Sequence, residues 1–160
     1  MNLEFVEVFD KFKNDIYRLV YSYTKNKYDA DDITQNVFIK LYNNFSKFNN
    51  GEHIKKWLIM VAINESKNHF LSAWKKKIFP ITKEIEDNLT VIAKEDETLS
   101  AVLNLPKKYR IVIHLYYYEG YKINEIANIL KEKETTIQTR LSRARATLKE
   151  MLKGGMEYEK

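Results

Sequence analysis

Residues 123–152 read INEIANILKEKETTIQTRLSRARATLKEML and divide into two amphipathic pieces separated by a charged turn. In the first piece Ile123, Ile126, Ala127 and Leu130 recur at spacings of three and four, and in the second Ile137, Leu141, Ala144, Leu148 and Met151 keep that period. A helix turns about 100° per residue, so each piece carries one apolar stripe to bury. Counted from Ile137, Thr135, Thr139 and Ser142 point away from the stripe, Arg143 lies near the outward pole, and Arg140 and Arg145 sit on its flanks. Hydroxyls and guanidinium groups hydrogen-bond base edges and phosphates in a major groove, so this is the layout of a helix-turn-helix that enters DNA. The same charge pattern also suits a solvated amphipathic helix of a bundle, and charge alone does not separate the two.

Outward from this stretch the chain reads as almost wholly helical. Only four Gly and two Pro interrupt 160 residues of 44% hydrophobic content. Phe5, Phe9, Phe12, Ile16, Leu19 and Tyr23 predict a first helix ending near Lys25-Asn26-Lys27. A second begins around Asp29-Ala30-Asp31-Asp32, where acids suit the positive end of the helix dipole, and turns Ile33, Val37 and Leu41 inward. After a polar, Gly-containing segment at 43–53, a third helix is expected over 54–76 with Trp57, Leu58, Val61 and Leu71 on its buried side. Later, Pro106 suits the start of a helix over 107–118, apolar on most sides, which Glu119-Gly120 ends. The expectation is an all-α protein of two small helical domains, 1–78 and 99–153, joined by an acidic linker at 79–98 and followed by a frayed tail at 154–160.

Charge follows the same division. Segment 55–77 holds six lysines and one glutamate, and segment 105–153 holds eleven Lys or Arg and five Glu. Between them, residues 79–98 hold six acids against two lysines. Two basic modules flanking an acidic tether suit a nucleic-acid partner touched at two places.

Several classes are excluded or disfavoured. With no cysteine there are no disulfides or thiolate metal sites. The longest apolar run, 57–63, falls far short of the roughly 18 residues that would span a bilayer, and acids within the N-terminal pattern argue against a signal peptide. His53, His69 and His114 are scattered without nucleophile-base or metal spacing, and no Gly-rich phosphate loop appears, so neither catalysis nor a cofactor nor a small-molecule substrate is expected.

Three stretches carry a family resemblance: YDADDITQNVFIKLY at 28–42, IKKWLIMVAINESKNHF at 54–70, and LPKKYRIVIHLYYYEGYKINEIANIL with TTIQTRLSRARATLK between 105 and 149. In this order, with an acidic linker between the second and third, the chain resembles the extracytoplasmic-function sigma factors of bacterial RNA polymerase. The resemblance implies an alternative sigma factor, cytoplasmic, that binds core RNA polymerase and promoter DNA and starts transcription at specific promoters. It assigns Asp32, Gln35 and Asn36 to polymerase docking, with Asn36 standing where relatives usually have Glu. To the −10 single strand it assigns Phe45, Phe48, Asn49 and Asn50 as base contacts and Lys55, Lys56 and Lys67 as phosphate contacts. For the −35 duplex it gives Thr135, Thr136, Gln138, Thr139 and Arg143 to the groove and Arg140, Arg145 and Lys149 to phosphates. It also implies control by an anti-sigma factor, commonly membrane-anchored. In the turn, Lys131-Glu132-Lys133-Glu134-Thr135 replaces the relatives' Gly-Ile-Ser-Glu-Gly, losing a permissive glycine, an apolar anchor and a hydroxyl cap. The rival reading is a stand-alone helix-turn-helix regulator, which leaves the DADDITQ helix and the basic third helix without a task.

Overall fold

The computed structural model describes residues 4–49, 51–75 and 97–158, with side chains over 4–49, 51–72 and 100–153. The chain divides into two compact units, Met1–Ile81 and Thr82–Lys160. Among the described residues every regular element is helical.

The first unit is a three-helix bundle of α1 (Phe5–Thr24), α2 (Lys27–Asn44) and α3 (Gly51–Lys75), each packed on the other two. Its core takes Ile16 and Leu19 from α1, Ile33 and Leu41 from α2, and Ile54 and Leu58 from α3, all no more than 2% exposed. Each contributes on the order of 2 kcal/mol by leaving water. The α1–α2 corner is made by two short-range devices. Lys25 takes a left-handed conformation (φ 56°) and donates its N–H to the Tyr21 carbonyl at 2.8 Å. Asn26 then caps α2, its side-chain oxygen accepting from the N–H of Tyr28 at 2.9 Å and of Asp29 at 3.2 Å. The helix therefore starts two residues before the aspartate cluster, and only Asp29 serves its first turn. A second correction concerns α3. Leu71 is 60% exposed rather than buried, because the core stripe ends at Ile63 and Ser66 and the last turns extend past it.

In the second unit α4 (Glu97–Leu103), α5 (Lys107–Ile113), α6 (Ile123–Leu130) and α7 (Glu134–Tyr158) enclose Leu105, Ile113, Leu115, Ile126 and Ile137. Arg110 is buried and donates from Nη1 to the carbonyl oxygens of Leu105 at 3.0 Å and Leu103 at 3.4 Å, satisfying carbonyls that the end of α4 leaves without helical partners. After α5 the chain widens into a π-helical turn, His114–Tyr118. Glu119 N–H reaches His114 O at 3.0 Å, and Gly120 (φ 73°) ends the turn. The extra residue rotates Tyr117 and Tyr118 outward, 55% and 52% exposed, so the expected buried helix over 107–118 is buried only to Leu115.

The helix-turn-helix is formed by α6, its turn and α7. Lys131 adopts φ 56° and ψ 44°, the left-handed geometry that favours glycine, and closes the turn with its N–H on Ala127 O. Ile137 N–H donates to the Lys133 carbonyl, so a lysine, whose side chain can only donate, stands at the start of α7 where a hydroxyl or carboxylate could cap it. The turn forms because Ile126, Ile137 and Leu141 are buried beneath it. Helix α7 continues through 154–158, where a frayed tail is expected, since helical bonding propagates through glycine at a cost in stability and not in geometry. Segment 79–96, and with it nearly all of the acidic linker, lies outside the described residues.

Candidate polymerase and nucleic-acid interfaces

Helix α2 buries Ala30, Ile33, Val37, Phe38 and Leu41 against the bundle and turns Asp32, Gln35 and Asn36 to solvent. Beside Gln35 the same outer stripe continues into Ile39, 57% exposed, and Tyr42, 67% exposed. With Phe5, Phe9 and Phe38 these residues line a groove of about 430 Å³. The sequence signal for it is two apolar residues off the Ile33–Val37–Leu41 stripe, which the periodic reading passes over.

The residues assigned to single-stranded DNA lie on the loop and helix that follow. Phe45 opens a one-turn helix, Phe45–Lys47, half-buried with its ring edge-on to Phe5 at 5.7 Å. Phe48, also half-buried, meets Trp57 edge-on at 5.4 Å. Asn49 is exposed, and Asn50 lies outside the described residues. On α3, Lys56 and Lys67 are eleven residues apart, three turns, so they share one side at a separation of about 16 Å. Lys55 is half-buried one position earlier. Glu65, one of the two acids of α3, is paired with Lys40 of α2, so its charge is balanced from outside the helix.

On α7 the outward face is as the period predicts. Ile137, Leu141 and Ala144 are buried, while Thr135, Gln138, Thr139, Arg143 and Lys149 are exposed and Thr136 is half-buried. The Thr139 hydroxyl donates to Thr135 O at 2.9 Å, so its free capacity is as an acceptor. The three arginines differ. Arg143 is exposed with no partner among the described residues. Arg140 Nη2 stands 3.5 Å from Glu132 Oε1. Arg145 Nε donates to the Tyr117 hydroxyl at 2.6 Å, with its guanidinium 5.2 Å from the Tyr116 ring centre and 5.6 Å from that of Tyr117. That hydrogen bond, above the other contacts, pushes the Arg145 pKa up. Glu132, Tyr116 and Tyr117 escape the sequence reading because their partners are distant in sequence or lie across a turn.

No group of His, Asp and Glu suited to a metal occurs among the described residues. His53 is exposed, His69 pairs with Asp29 at 3.2 Å, and His114 is buried 3.6 Å from Glu119.

Two family profiles match the chain, Sigma-70 region 2 over residues 8–76 and Sigma-70 region 4 over residues 95–148. The chain is 30% identical to the ECF RNA polymerase sigma factor SigW of Bacillus subtilis, the alignment covering 93% of this chain and 89% of SigW. The chain belongs to the ECF sigma factors. It is an alternative sigma factor, which directs transcription initiation. The RNA polymerase sigma factor SigV of Bacillus subtilis is 32% identical, with 82% of this chain and 81% of SigV covered. Among solved structures, the sigma factor RpoE from Bartonella quintana, in complex with the anti-sigma factor NepR, shares the fold at a TM-score of 0.66 and 20% identity, over 93% of this chain and 96% of that one. A stand-alone regulator is not favoured, because the region 2 match covers the half of this sigma factor that such a regulator leaves idle. No helix among the described residues is long and apolar enough to cross a membrane.

Proposed function

We propose that this sigma factor divides its work along the segments 1–78, 79–98 and 99–153. The first binds core RNA polymerase through Asp32, Gln35 and Asn36 on α2 and holds the unpaired −10 strand with Phe45, Phe48, Asn49, Asn50, Lys55, Lys56 and Lys67. The third reads −35 duplex with Thr135, Thr136, Gln138, Thr139 and Arg143 in the groove and Arg140, Arg145 and Lys149 on phosphates. The acidic segment joins the two, and catalysis belongs to polymerase. The observation that carries this reading is the separation of faces: α2 and α7 each bury one apolar stripe, and away from it α2 exposes Asp32, Gln35 and Asn36 while α7 exposes hydroxyl, amide and guanidinium groups.

The protein works in the cytoplasm, under an anti-sigma factor that covers these same surfaces. The complex of RpoE with NepR supports such a partner by analogy of fold. In vitro transcription with core polymerase and a library of promoters tests the whole. Selective starts that require this chain are expected, and starts no more selective than those of core alone refute it. Tight, sequence-specific duplex binding by the isolated chain likewise counts against it.

A further inference from the structure

Arg145 is the one arginine of α7 held by neutral groups. Its Nε donates to the Tyr117 hydroxyl at 2.6 Å, and the rings of Tyr116 and Tyr117, themselves edge-on at 4.9 Å, lie within 5.6 Å of its guanidinium carbon. A phenol fixes the plane of a guanidinium without cancelling its charge, and one bond at Nε occupies one of five N–H donors. The contrast is Arg140, whose charge faces the Glu132 carboxylate. Arg145 remains exposed despite the clamp. Around it, Tyr117, Arg145, Leu148, Lys149, Leu152 and Lys153 line an open hollow of about 470 Å³ that holds three cations and no acid. Three like charges gathered on one lining repel each other and attract an anion.

We propose that Tyr117, with Tyr116 behind it, is a positioning residue that sets the Arg145 guanidinium for a phosphate of the −35 duplex. This rests on the reading of α7 as the −35 helix and adds to it the π-helical turn, which reaches DNA recognition through Arg145. The turn is what makes the clamp: its extra residue swings Tyr117 outward, to 55% exposure, beneath the helix that follows two elements later. An arginine ordered before binding loses less side-chain freedom when it meets phosphate, so the clamp raises affinity without adding a contact to DNA.

The test is a double-mutant cycle on holoenzyme, using a promoter recovered by transcription from a library randomised at −35. Arg145→Ala should weaken binding and reduce the salt slope by about one released counterion. Tyr117→Phe should weaken binding about three- to tenfold while leaving that slope unchanged, because the cation is still present. In an Arg145→Ala background Tyr117→Phe should have no further effect. Unchanged binding by Tyr117→Phe overturns the proposal. So does an equal loss in both backgrounds, which is the signature of a general structural role. If Arg145→Ala itself binds like the parent protein, the phosphate role of Arg145 fails first and the positioning role with it.

Discussion

Glu132 Oε1 stands 3.5 Å from Arg140 Nη2, so the turn of the helix-turn-helix sets a carboxylate against a guanidinium of the helix that follows. Both side chains are partly exposed, and such pairs contribute about 0.2–1 kcal/mol. The carboxylate also competes with phosphate for the same cation. Glu132→Gln should therefore tighten promoter binding by holoenzyme up to about fivefold at low salt. The gain should vanish at high salt, where screening shortens the reach of the freed charge. Weaker binding at low salt would mean that Glu132 serves Arg140 as a support rather than a competitor.

Docking and reading should separate by residue. Gln35 is exposed on α2, and loss of one hydrogen bond costs about 0.5–1.5 kcal/mol, so Gln35→Ala should weaken core binding about two- to tenfold and leave −35 preference intact. Arg143, without a partner of its own among the described residues, is free to reach base edges. Arg143→Ala should cost about 1–3 kcal/mol of −35 discrimination and leave pull-down of core polymerase unchanged.

Asn26→Ala removes the oxygen that caps Tyr28 and Asp29 N–H groups at the start of α2. A loss of about 1 kcal/mol from the stability of the first unit is expected. Trp57 and Trp74 both belong to that unit, so tryptophan fluorescence during urea unfolding reads it selectively.

Tyr21 is 8% exposed, its hydroxyl has no hydrogen-bond partner among the described residues, and burial pushes its pKa from the usual 10.0 up to about 12. A raised folded pKa means that the folded state favours the neutral phenol. Its contribution is complete below the unfolded value and is lost as pH rises from 10.0 toward about 12. Tyr21→Phe should shallow this alkaline loss of stability. At neutral pH it should be harmless or stabilising, because it removes a buried, unpaired hydroxyl. Unfolding free energies that fall with pH equally in both proteins would assign the loss to other groups.

Lys131 holds φ 56°, a conformation that costs a residue with a Cβ about 1–2 kcal/mol. Part of that is recovered in Lys131→Gly and part is lost to the freer unfolded chain, for a net gain of about 0.5–1 kcal/mol. Slower exchange of the Glu132 amide, bonded to Ala127 O across the turn, is the expected sign.

Much of the fold is legible in the chain. Ile16, Leu19, Ile33, Ile126, Ile137 and Leu141 fall on helical periods, and each is buried as its period requires. The outward face of α7 follows from the same count. Leu71 fails because periodicity says which side of a helix is apolar and not how far the neighbouring helices extend. The apolar groove beside Gln35 is not legible for a related reason: Ile39 and Tyr42 lie off the core stripe, and they meet Phe5 and Phe9 only where α1 packs beside α2.

By itself the sequence determined the helices, their buried stripes and the alternation of basic and acidic segments, since these depend on spacing and composition over a few turns of chain. Tertiary structure alone decided which charges remain available. Lys40 meets Glu65 across 25 positions and Arg145 meets Tyr117 across 28, pairings set by how helices cross and by a turn that takes up one extra residue. No local count of cations distinguishes a clamped arginine from a free one, because the partner arrives only when distant segments are packed together.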